Sequence, residues 1–552
     1  MKTQIINLVA KILTIDKNII DVQTPSNVDF GDFSIPCFAF AKIFKKSPNE
    51  IALRLVDEFS LQSIDHTEAI NGYFNIFLSK NYLFAKTLDK INSIDDYGSS
   101  HSGKGKSVFI EHTSINPNAS PHIGRARNAL IGDALTRLLK FEGYSVDVHY
   151  FVNDIGKQIA MLVLAIEGKD DIKFEDLLSL YVEVYNDIKN HPEFEQKVFT
   201  LLHELENGNP DVIDKFKNVV NICLEGQVSI FNELGIFYDK FDYESDYITS
   251  GRTLEILNDL KKTGNLFEDE TGRFVLDQNK YNIPLESPYL VLTRQDKTSL
   301  YPLRDIAYTI DKVNTKTDRN IVVLGEDQKT YFQQIAASLR MLGYIPPEVV
   351  HYSFVLLSDG KMSTRQGKVV LLKDFMTESL QRVQESLFER YGNVDEETSK
   401  KIAYASVKYA ILKSSNERNV IFDWENALSF DGESSLYIQY NYARIISMLN
   451  KMSISDDVDF SLLNNTSEYE IIKKLNEFEE VISKSVSNLT VNNIATYVYS
   501  LTKLFSKYYH DYKIIDNNNL ELSNVRLYLV RAIGKVIKNG LNILGIDVLD
   551  KI

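Results

Sequence analysis

The residues best placed to do chemistry form a turn that could bind the phosphates of a nucleotide. A short apolar strand is predicted at residues 108–110, and after a polar loop His122-Ile123-Gly124-Arg125 leads into a helix with an apolar stripe. Backbone amides and the dipole at a helix start attract anions. His122 can donate to an α-phosphate as charge builds up there. Gly124 has no Cβ, so an adenine ring can lie flat on the backbone.

A basic segment further along the chain, Lys361-Met362-Ser363-Thr364-Arg365-Gln366-Gly367, could complete such a site. Cations on a loop that closes over pyrophosphate would stabilise charge on the β- and γ-phosphates. Taken alone, each segment is explained more simply as an ordinary exposed loop. The Asn-Pro-Asn sequence at 116–118 and the strand–turn–helix context favour a nucleotide site.

The elements that must position these residues alternate between strand and helix. Residues 107–375 therefore predict an α/β catalytic domain built on a Rossmann-like, doubly wound parallel sheet, with a helical insertion at about 167–230. Residues 1–100 predict a small α+β module that ends in a Gly/Ser-rich linker. Residues 376–552 have helical periodicity almost throughout and predict an all-α C-terminal domain.

Composition narrows the class of protein. A chain of 552 residues predicts about three domains. Its two cysteines, Cys37 and Cys223, have no partners at metal-ligand spacing, so we expect no disulfide framework, no zinc or other structural metal, and a reducing cytoplasm. No apolar run approaches the roughly 18 residues that would span a membrane. The net charge of −15 leaves nucleic-acid binding open, because a local basic stripe is enough for RNA.

The sequence INPNASPHIGRARNALIGDALTRLLKFEGYSVDVHYFVNDIGKQ resembles the arginyl family of class I aminoacyl-tRNA synthetases almost end to end. The segment 361–367 is similar to the second class I signature in the form that arginyl enzymes carry. The resemblance covers nearly the whole chain and is most specific at 107–158 and 301–375. It implies an ATP site formed by Asn118, His122, Gly124, Lys361, Met362 and Ser363, with His122, Arg125, Lys361 and Arg365 as the catalytic residues.

Some positions depart from the family pattern. Arg125 stands where histidine is usual, Thr364 replaces the second signature lysine, and Gln366 stands where lysine is frequent. Ala119 occupies the place of a lysine that compensates in some members. Arginine also offers fixed donors to phosphate, so Arg125 can take the place of the usual histidine. The charge on the β- and γ-phosphates would then be stabilised by the cations at 361, 365 and 368.

The same resemblance implies an amino-acid pocket. Carboxylates can distinguish a guanidinium from an ammonium, because they accept hydrogen bonds from the planar set of N–H donors that only the guanidinium has. The family's positions for this pocket are matched by Ser114, Asn116, Glu244, Tyr301, Asp305 and Gln328. Asp305 follows Tyr301 by four residues, so the two share a face if that turn is helical. The simpler alternatives are a core tyrosine and solvated surface carboxylates.

The two ends of the chain resemble the family's RNA-binding parts. FGDFSIPCFAFAKIFKKSPNEIA is similar to the N-terminal module that touches the tRNA elbow, and it supplies Lys45 and Lys46 for phosphate contacts. SLYIQYNYAR resembles the start of the anticodon-binding domain, with Tyr437 and Tyr440 as candidates for stacking on bases. Arg531 and Lys535 lie on one basic stripe of a late helix. A solvated face and core packing are the alternatives.

The resemblance implies an enzyme that uses ATP, with Mg2+, to join L-arginine to tRNA(Arg), activating arginine only when tRNA is bound. It also implies a monomer. Three alternatives stay open: a class I synthetase of cysteinyl or glutamyl specificity, a related nucleotidylyltransferase acting on a small molecule, and an RNA-binding paralogue without catalysis. The departures at 125, 364 and 366 motivate the last of these.

Overall fold

The computed structural model describes residues 1–25, 27–169, 171–357, 370–392 and 395–552. Internal contacts divide the chain into two compact units, one of Met1–Tyr97, Ile445–Glu477 and Lys503–Val536 and one of Gly98–Arg444, Phe478–Thr502 and Ile537–Ile552. No helix in these described ranges is both long and apolar enough to cross a membrane.

The strands, in chain order, are β1 (Phe33–Pro36), β2 (Ile64–Ile70), β3 (Tyr73–Leu78), β4 (Ser107–Glu111), β5 (Ser145–Val152), β6 (Lys240–Tyr243), β7 (Leu266–Glu268), β8 (Phe274–Asp277), β9 (Tyr289–Val291), β10 (Arg319–Gly325), β11 (Glu348–Tyr352), β12 (Val355–Leu357) and β13 (Val420–Phe422). The helices are α1 (Lys2–Leu13), α2 (Phe38–Phe44), α3 (Pro48–Glu58), α4 (Lys80–Ser93), α5 (Ile123–Phe141), α6 (Lys157–Ile166), α7 (Leu177–Asn190), α8 (Pro192–Glu206), α9 (Pro210–Glu233), α10 (Asp246–Thr249), α11 (Arg252–Lys262), α12 (Tyr301–Asn314), α13 (Lys329–Met341), α14 (Leu372–Tyr391), α15 (Glu396–Leu412), α16 (Trp424–Ala427), α17 (Ser435–Leu449), α18 (Thr466–Asn476), α19 (Phe478–Asn488), α20 (Asn492–Asp511) and α21 (Leu520–Ile543).

The N-terminal residues form the predicted α+β module. The antiparallel sheet has the order β1-β3-β2, and helices α1 to α3 pack on it through a core that includes Ile5, Phe40, Leu55 and Phe74. Helix α3 begins where it does because Ser47 and Glu50 cap its start reciprocally, with proline at the first position.

The predicted parallel sheet is confirmed. Five of the described strands pair in parallel in the order β11-β10-β4-β5-β6. The chain passes from β4 to β5 on one side, whereas β10 pairs on the other side. The carboxyl ends of β4 and β10 therefore flank a topological switch point, where open α/β sheets bind ligands.

Helix α5 links this sheet to the nucleotide-binding turn. His122 is its extended N-cap, and its inward face is apolar, with Ala126, Leu130, Leu135 and Leu138 buried. The buried face fixes the helix axis, so the amides of its first turn point toward the switch point.

The inserted segment and the C-terminal part of the chain are helical, as predicted. Helices α6 to α9 share a core around Leu162, Leu177, Val198 and Val219. From α14 onward the described chain is almost entirely helix, with the short strand β13 paired to β12.

Candidate nucleotide and amino-acid site

A cavity of about 370 Å3 lies at the carboxyl ends of β4 and β10. Seven of the sequence-predicted site residues line it: Ser114, Asn116, Arg125, Glu244, Tyr301, Asp305 and Gln328. The first and the last of them, Ser114 and Gln328, are 214 residues apart in the chain. The structure thus gathers the predicted amino-acid pocket in one place.

Each of these side chains is placed by the end of a strand or the start of a helix. Glu244 directly follows β6, and Gln328 ends the single 3-10 turn after β10. Tyr301 and Asp305 lie in the first two turns of α12, so the predicted helical spacing is confirmed. Tyr301 is 54% exposed and Glu244 only 2%, which removes the alternatives of a core tyrosine and a solvated glutamate.

The cavity carries its own internal ion pairs. Arg304 Nε donates to Glu244 at 2.6 Å, and Lys312 Nζ donates to Glu111 at 2.5 Å, with all four side chains less than one-tenth exposed. Asp305 has a neutral partner instead, because the Tyr331 hydroxyl donates to its Oδ2 at 2.5 Å.

The charge state of Asp305 is set by this environment. The pKa of Asp305 is raised to about 7, mainly by burial and also by the carboxylates of Glu244 and Glu111, whereas the hydrogen bond from Tyr331 lowers it. Near neutral pH the carboxyl of Asp305 is therefore divided between its neutral and charged forms. A cation that enters the cavity would favour the charged form.

Sequence reasoning missed several residues of the cavity wall. Tyr308 and Lys312 follow Tyr301 and Asp305 on the same face of α12, so the helical repeat 301, 305, 308, 312 could have found them. Tyr331 lies in the first turn of α13, and Glu111 ends β4. No motif pointed to either residue.

The loop after β4 is backbone-strained. Thr113 and Ser114 both have positive φ, at 71° and 43°, a region that residues with a side chain rarely occupy. Asn128 of α5 accepts from the Thr113 amide at 2.6 Å, and the Tyr238 hydroxyl donates to the Thr113 side chain at 2.9 Å. Strain held in this way is typical of functional sites.

A second set of contacts fixes residues 115–119, just before the nucleotide-binding turn. Gln227 of α9 is fully buried and donates to the carbonyls of Asn116 and Ala119 at 3.1 and 2.8 Å. Asn118 donates to Gln158 at 2.8 Å. A helix of the insertion thus shapes the loop that carries two of the predicted ligands.

His122 stands at the start of α5, and Arg125, three residues on, reaches the cavity wall, which His122 itself does not line. Burial, together with the positive charge of Arg125, lowers the pKa of His122 to about 4. The imidazole is then neutral at pH 7 and offers a single N–H donor. The turn is further held by hydrogen bonds from Ile123 N to the Val370 carbonyl and from Leu372 N to the Pro121 carbonyl, at 3.1 and 2.8 Å.

The predicted second signature, including Lys361, Met362, Ser363, Arg365 and Lys368, lies outside the described residues. The described chain on both sides of it is anchored to α5. Residue 370 bonds to the turn, and the buried Arg127 donates to the carbonyls of Ser353, Arg418 and Ser415 at 2.6, 2.7 and 2.8 Å. Arg127 has no carboxylate partner among the described residues, which is unusual for a buried charge.

The predicted RNA contacts are dispersed. Lys45 and Lys46 are exposed at the end of α2. Arg531 is paired with Asp456 at 2.6 Å, and Lys535 donates to the carbonyls of Asn92 and Ile94. Those internal contacts would compete with phosphate.

The two predicted stacking tyrosines are half-buried and have aromatic neighbours. The Tyr437 ring lies 5.8 Å from that of Tyr499, and the Tyr440 ring lies 6.3 Å from that of Phe430. The Arg444 guanidinium lies 4.9 Å from the centre of the Tyr440 ring. Neither ring is free on both faces, so a base would reach only the face that these neighbours leave open.

A second cavity, of about 500 Å3, lies in the N-terminal module and was not foreseen from sequence. Phe30 and Tyr73 line it, together with Ser34 and Asn75. Ser34 donates to Asn75 Oδ1 at 2.6 Å, whereas the buried Nδ2 of Asn75 has no hydrogen-bond partner among the described residues. Aromatic walls around an unused amide donor fit a flat, polar ring such as a nucleobase.

Models of three protein families match successive parts of the chain: the N terminal domain of arginyl tRNA synthetase over residues 1–78, the catalytic domain of class I (R) tRNA synthetases over residues 88–424, and the DALR anticodon binding domain over residues 438–552. The arginine–tRNA ligase of Methanocaldococcus jannaschii is 35% identical, with 99% of each chain covered. That of Clostridium perfringens is 31% identical, with 96% of this chain and 95% of the other covered.

Solved structures agree with the fold. The arginyl-tRNA synthetase of Thermus thermophilus matches with a TM-score of 0.83 at 24% identity, covering 100% of both chains. The arginyl-tRNA synthetase of Plasmodium falciparum matches with a TM-score of 0.81 at 21% identity, covering 100% of this chain and 98% of the other. The expected catalytic architecture, with its N-terminal module and helical C-terminal part, is therefore confirmed.

Proposed function

The chain belongs to the arginyl-tRNA synthetase family of class I, and we propose that it uses ATP to activate L-arginine in the cavity beside α5 and transfers the arginyl group to tRNA(Arg). The observation that carries the assignment of the site is the gathering of Glu244, Tyr301, Asp305 and Gln328 around one cavity at the topological switch point. Asp305 suits a guanidinium, because this partly buried carboxylate pairs with the Tyr331 hydroxyl and with no cation among the described residues.

In the first step, the carboxylate of arginine attacks the α-phosphorus of ATP and pyrophosphate leaves. His122, as a neutral N–H donor at the start of α5, would stabilise charge on the α-phosphate, and Arg125 would add a fixed positive charge beside the cavity. Lys361 and Arg365 would do the same for the β- and γ-phosphates. No acid–base pair is needed, because positioning and phosphate stabilisation supply the catalysis.

In the second step, the terminal ribose hydroxyl of tRNA, the 2′-OH by class analogy, attacks the carbonyl of arginyl-adenylate and releases AMP. We propose that Ser114 and Asn116 hold the α-amino and carboxylate groups of arginine through both steps. The strained backbone at Ser114 supports this role, because backbone strain is typical of functional sites and Ser114 lies on the cavity wall.

The tRNA would be held at both ends of the chain. Lys45 and Lys46 are exposed and available to phosphate, and the aromatic cavity of the N-terminal module would take an unpaired base of the tRNA elbow. Tyr437 and Tyr440 are the proposed anticodon contacts. Arg531 and Lys535 would have to exchange their present internal partners for phosphate. We further propose that tRNA binding is needed before arginine is activated.

Mg2+ would arrive with ATP, bound mainly by phosphate oxygens, which are the ligands that it prefers. In the described part of the chain no group of three or more histidine, cysteine or acidic residues is placed to hold a metal ion. We propose that the metal is carried by the nucleotide and that the protein holds no zinc. We propose a monomer that works in the cytoplasm.

Exchange of labelled pyrophosphate into ATP tests the whole proposal. Each amino acid is tried with and without tRNA, and exchange is expected only with arginine and mainly when tRNA(Arg) is present. A response to cysteine or glutamate would indicate a sister specificity. Exchange that ignores tRNA would indicate a small-molecule nucleotidylyltransferase. No exchange under any condition would indicate an RNA-binding paralogue.

A further inference from the structure

Tyr331 donates a hydrogen bond to Asp305, the carboxylate of the cavity wall that we expect to bind the guanidinium. Three other acidic side chains line the cavity: Glu244 and Glu111 are buried and each paired with an internal cation at 2.6 and 2.5 Å, and Asp327 is exposed. Asp305 is paired with a phenol, which compensates its charge only in part. The charge of Asp305 therefore stays available to substrate, whereas the charges of Glu244 and Glu111 are compensated within the protein.

The phenol also fixes the orientation of Asp305. Tyr331 donates to Oδ2, and within the described ranges Oδ1 of Asp305 accepts no hydrogen bond. The Tyr331 ring is itself held, since its centre lies 5.3 Å from that of Tyr301, whose ring forms the exposed rim of the cavity. One carboxylate oxygen is thus committed to the protein and the other is left for the ligand.

Building on the proposed function, we propose that Tyr331 is a specificity-determining residue: its hydroxyl orients Asp305 and favours the charged carboxylate, so that the free oxygen accepts from the guanidinium of arginine. Tyr331 acts through Asp305 and is a positioning residue rather than a catalytic one. Nothing in the chemistry of ATP requires it.

The electrostatic surroundings of Asp305 make this inference testable by pH. Tyr331 of α13 and Lys312 of α12 lower the pKa of Asp305, whereas burial and the carboxylates of Glu244 and Glu111 raise it to about 7. Removing the phenol takes away a lowering influence, so the pKa of Asp305 must rise. Arginine binding then requires a higher pH.

The experiment measures the Michaelis constants for arginine and ATP from pH 6 to 9 in tRNA-dependent pyrophosphate exchange, for the wild type and Tyr331→Phe. In the wild type the constant for arginine should fall as pH rises through the pKa of Asp305. In Tyr331→Phe the inflection should move to higher pH by about one unit, with a constant about fivefold higher at pH 7. The two curves should converge at the alkaline end, and the constant for ATP should stay unchanged.

Matched variants separate this role from simple structural support. Tyr308→Phe also removes a hydroxyl from the cavity wall, but that hydroxyl donates to Asp242, so the inflection should stay where it is. Tyr331→Gln keeps an N–H donor, does not titrate between pH 6 and 9, and should restore the inflection toward the wild type. Asp305→Asn should abolish the inflection altogether.

An equal increase at every pH, an unmoved inflection in Tyr331→Phe, or an equal change for ATP would overturn the inference. If the phenylalanine variant does not fold, the glutamine variant decides, because an inflection displaced as far as one pH unit despite its donor would also overturn the inference. The proposed function has its own readout. If the wild type shows no arginine-dependent exchange, the function fails, whereas an active wild type with an unmoved variant inflection refutes only the role of Tyr331.

Discussion

Arg304 donates to Glu244 at 2.6 Å, so the glutamate that sequence selects as a ligand for guanidinium already holds an internal guanidinium. Both side chains are buried, at 7% and 2% exposed. Arg304 also donates to the carbonyl of Ser299 at 2.5 Å, which ties the start of α12 to the preceding loop. The pair therefore fixes the part of α12 that carries the next residue, Asp305.

Removing one partner of this ion pair should lower the stability of the protein. Arg304→Met leaves Glu244 buried without a partner, and we expect a loss of about 3 to 5 kcal/mol in the free energy of unfolding. Adding Glu244→Gln in the same chain should recover a large part of that loss, because the uncompensated charge is gone. Urea denaturation of the three proteins measures the effect. A double variant no more stable than Arg304→Met would contradict it.

Asp305 should contribute to arginine binding far more than to ATP binding. In Asp305→Asn the amide keeps the size of the carboxyl but loses its charge, so the Michaelis constant for arginine should rise about 10- to 100-fold. The constant for ATP should change by less than about twofold. Steady-state exchange kinetics measure both constants. An equal loss for the two substrates would place Asp305 outside the amino-acid pocket.

His122 should act as a neutral donor across the physiological pH range. Because burial and Arg125 lower the pKa of His122 to about 4 from an ordinary value near 6.5, the exchange rate should show no inflection from its titration between pH 6 and 8. His122→Ala should lower kcat about 100-fold, with a smaller effect on the constant for ATP. His122→Asn, which retains an N–H donor, should lose less.

The same pKa has a consequence for stability, with a definite sign. Between about pH 4 and 6.5 the unfolded chain binds a proton at His122 that the folded chain does not, so this residue makes the folded state less stable as pH falls through that window. The difference in urea midpoint between the wild type and His122→Asn should therefore change in favour of the variant on acidification. A constant difference from pH 7 to 4.5 would show that the imidazole takes up its proton in the folded state.

Gln227 should matter to both substrates, although it lies in the insertion. Gln227→Met removes the donors to the carbonyls of Asn116 and Ala119, and each unpaired buried group costs about 1 to 3 kcal/mol. The loop carries Asn116 and Asn118, so the Michaelis constants for arginine and ATP should rise together. Gln196→Met, on the exposed face of α8, is the matched control and should leave both constants unchanged. A change in neither constant for Gln227→Met would show that the loop holds its shape without the clamp.

The fold and much of the site could be predicted from sequence because their signals are local. The parallel sheet follows from alternating apolar strands and helices, and the pair Tyr301 and Asp305 follows from the helical repeat of α12. The residues that were missed act across long stretches of chain. Gln227 is 111 residues from the carbonyl that it holds, and Arg127 is 226 residues from Ser353. No spacing rule links such positions, since only the folded sheet brings them together.

For the same reason, the sequence could not predict the partners of the charged residues in α21. Helical periodicity correctly put Arg531 and Lys535 on the polar face of α21, opposite a buried stripe. It could not reveal that Asp456 and the end of α4 supply acceptors for them. A charge pattern gives the face of a helix, whereas its partners depend on what packs nearby.

Arg127 should anchor β12, the strand that precedes the second signature in the chain. Its guanidinium donates to the carbonyls of Ser353, Ser415 and Arg418, a fork that the single ammonium of lysine cannot reproduce. In Arg127→Lys we therefore expect the base of β12 to loosen, with amide hydrogen exchange at residues 353–357 and 420–422 faster by at least about tenfold. Because the cations at 361 and 365 follow β12 in the chain, kcat should fall while the Michaelis constant for arginine stays within about twofold.

The matched control for this prediction is Arg137→Lys on the same helix. Arg137 pairs with Asp133 and the Gly235 carbonyl and is 36% exposed in its side chain, so it touches neither strand β12 nor β13. Its replacement should leave kcat and the exchange of residues 353–357 unchanged. If both variants lost activity alike, the cause would be a general weakening of α5. If Arg127→Lys alone lost kcat without faster exchange at β12, Arg127 would support the reaction by a route other than the anchoring of β12.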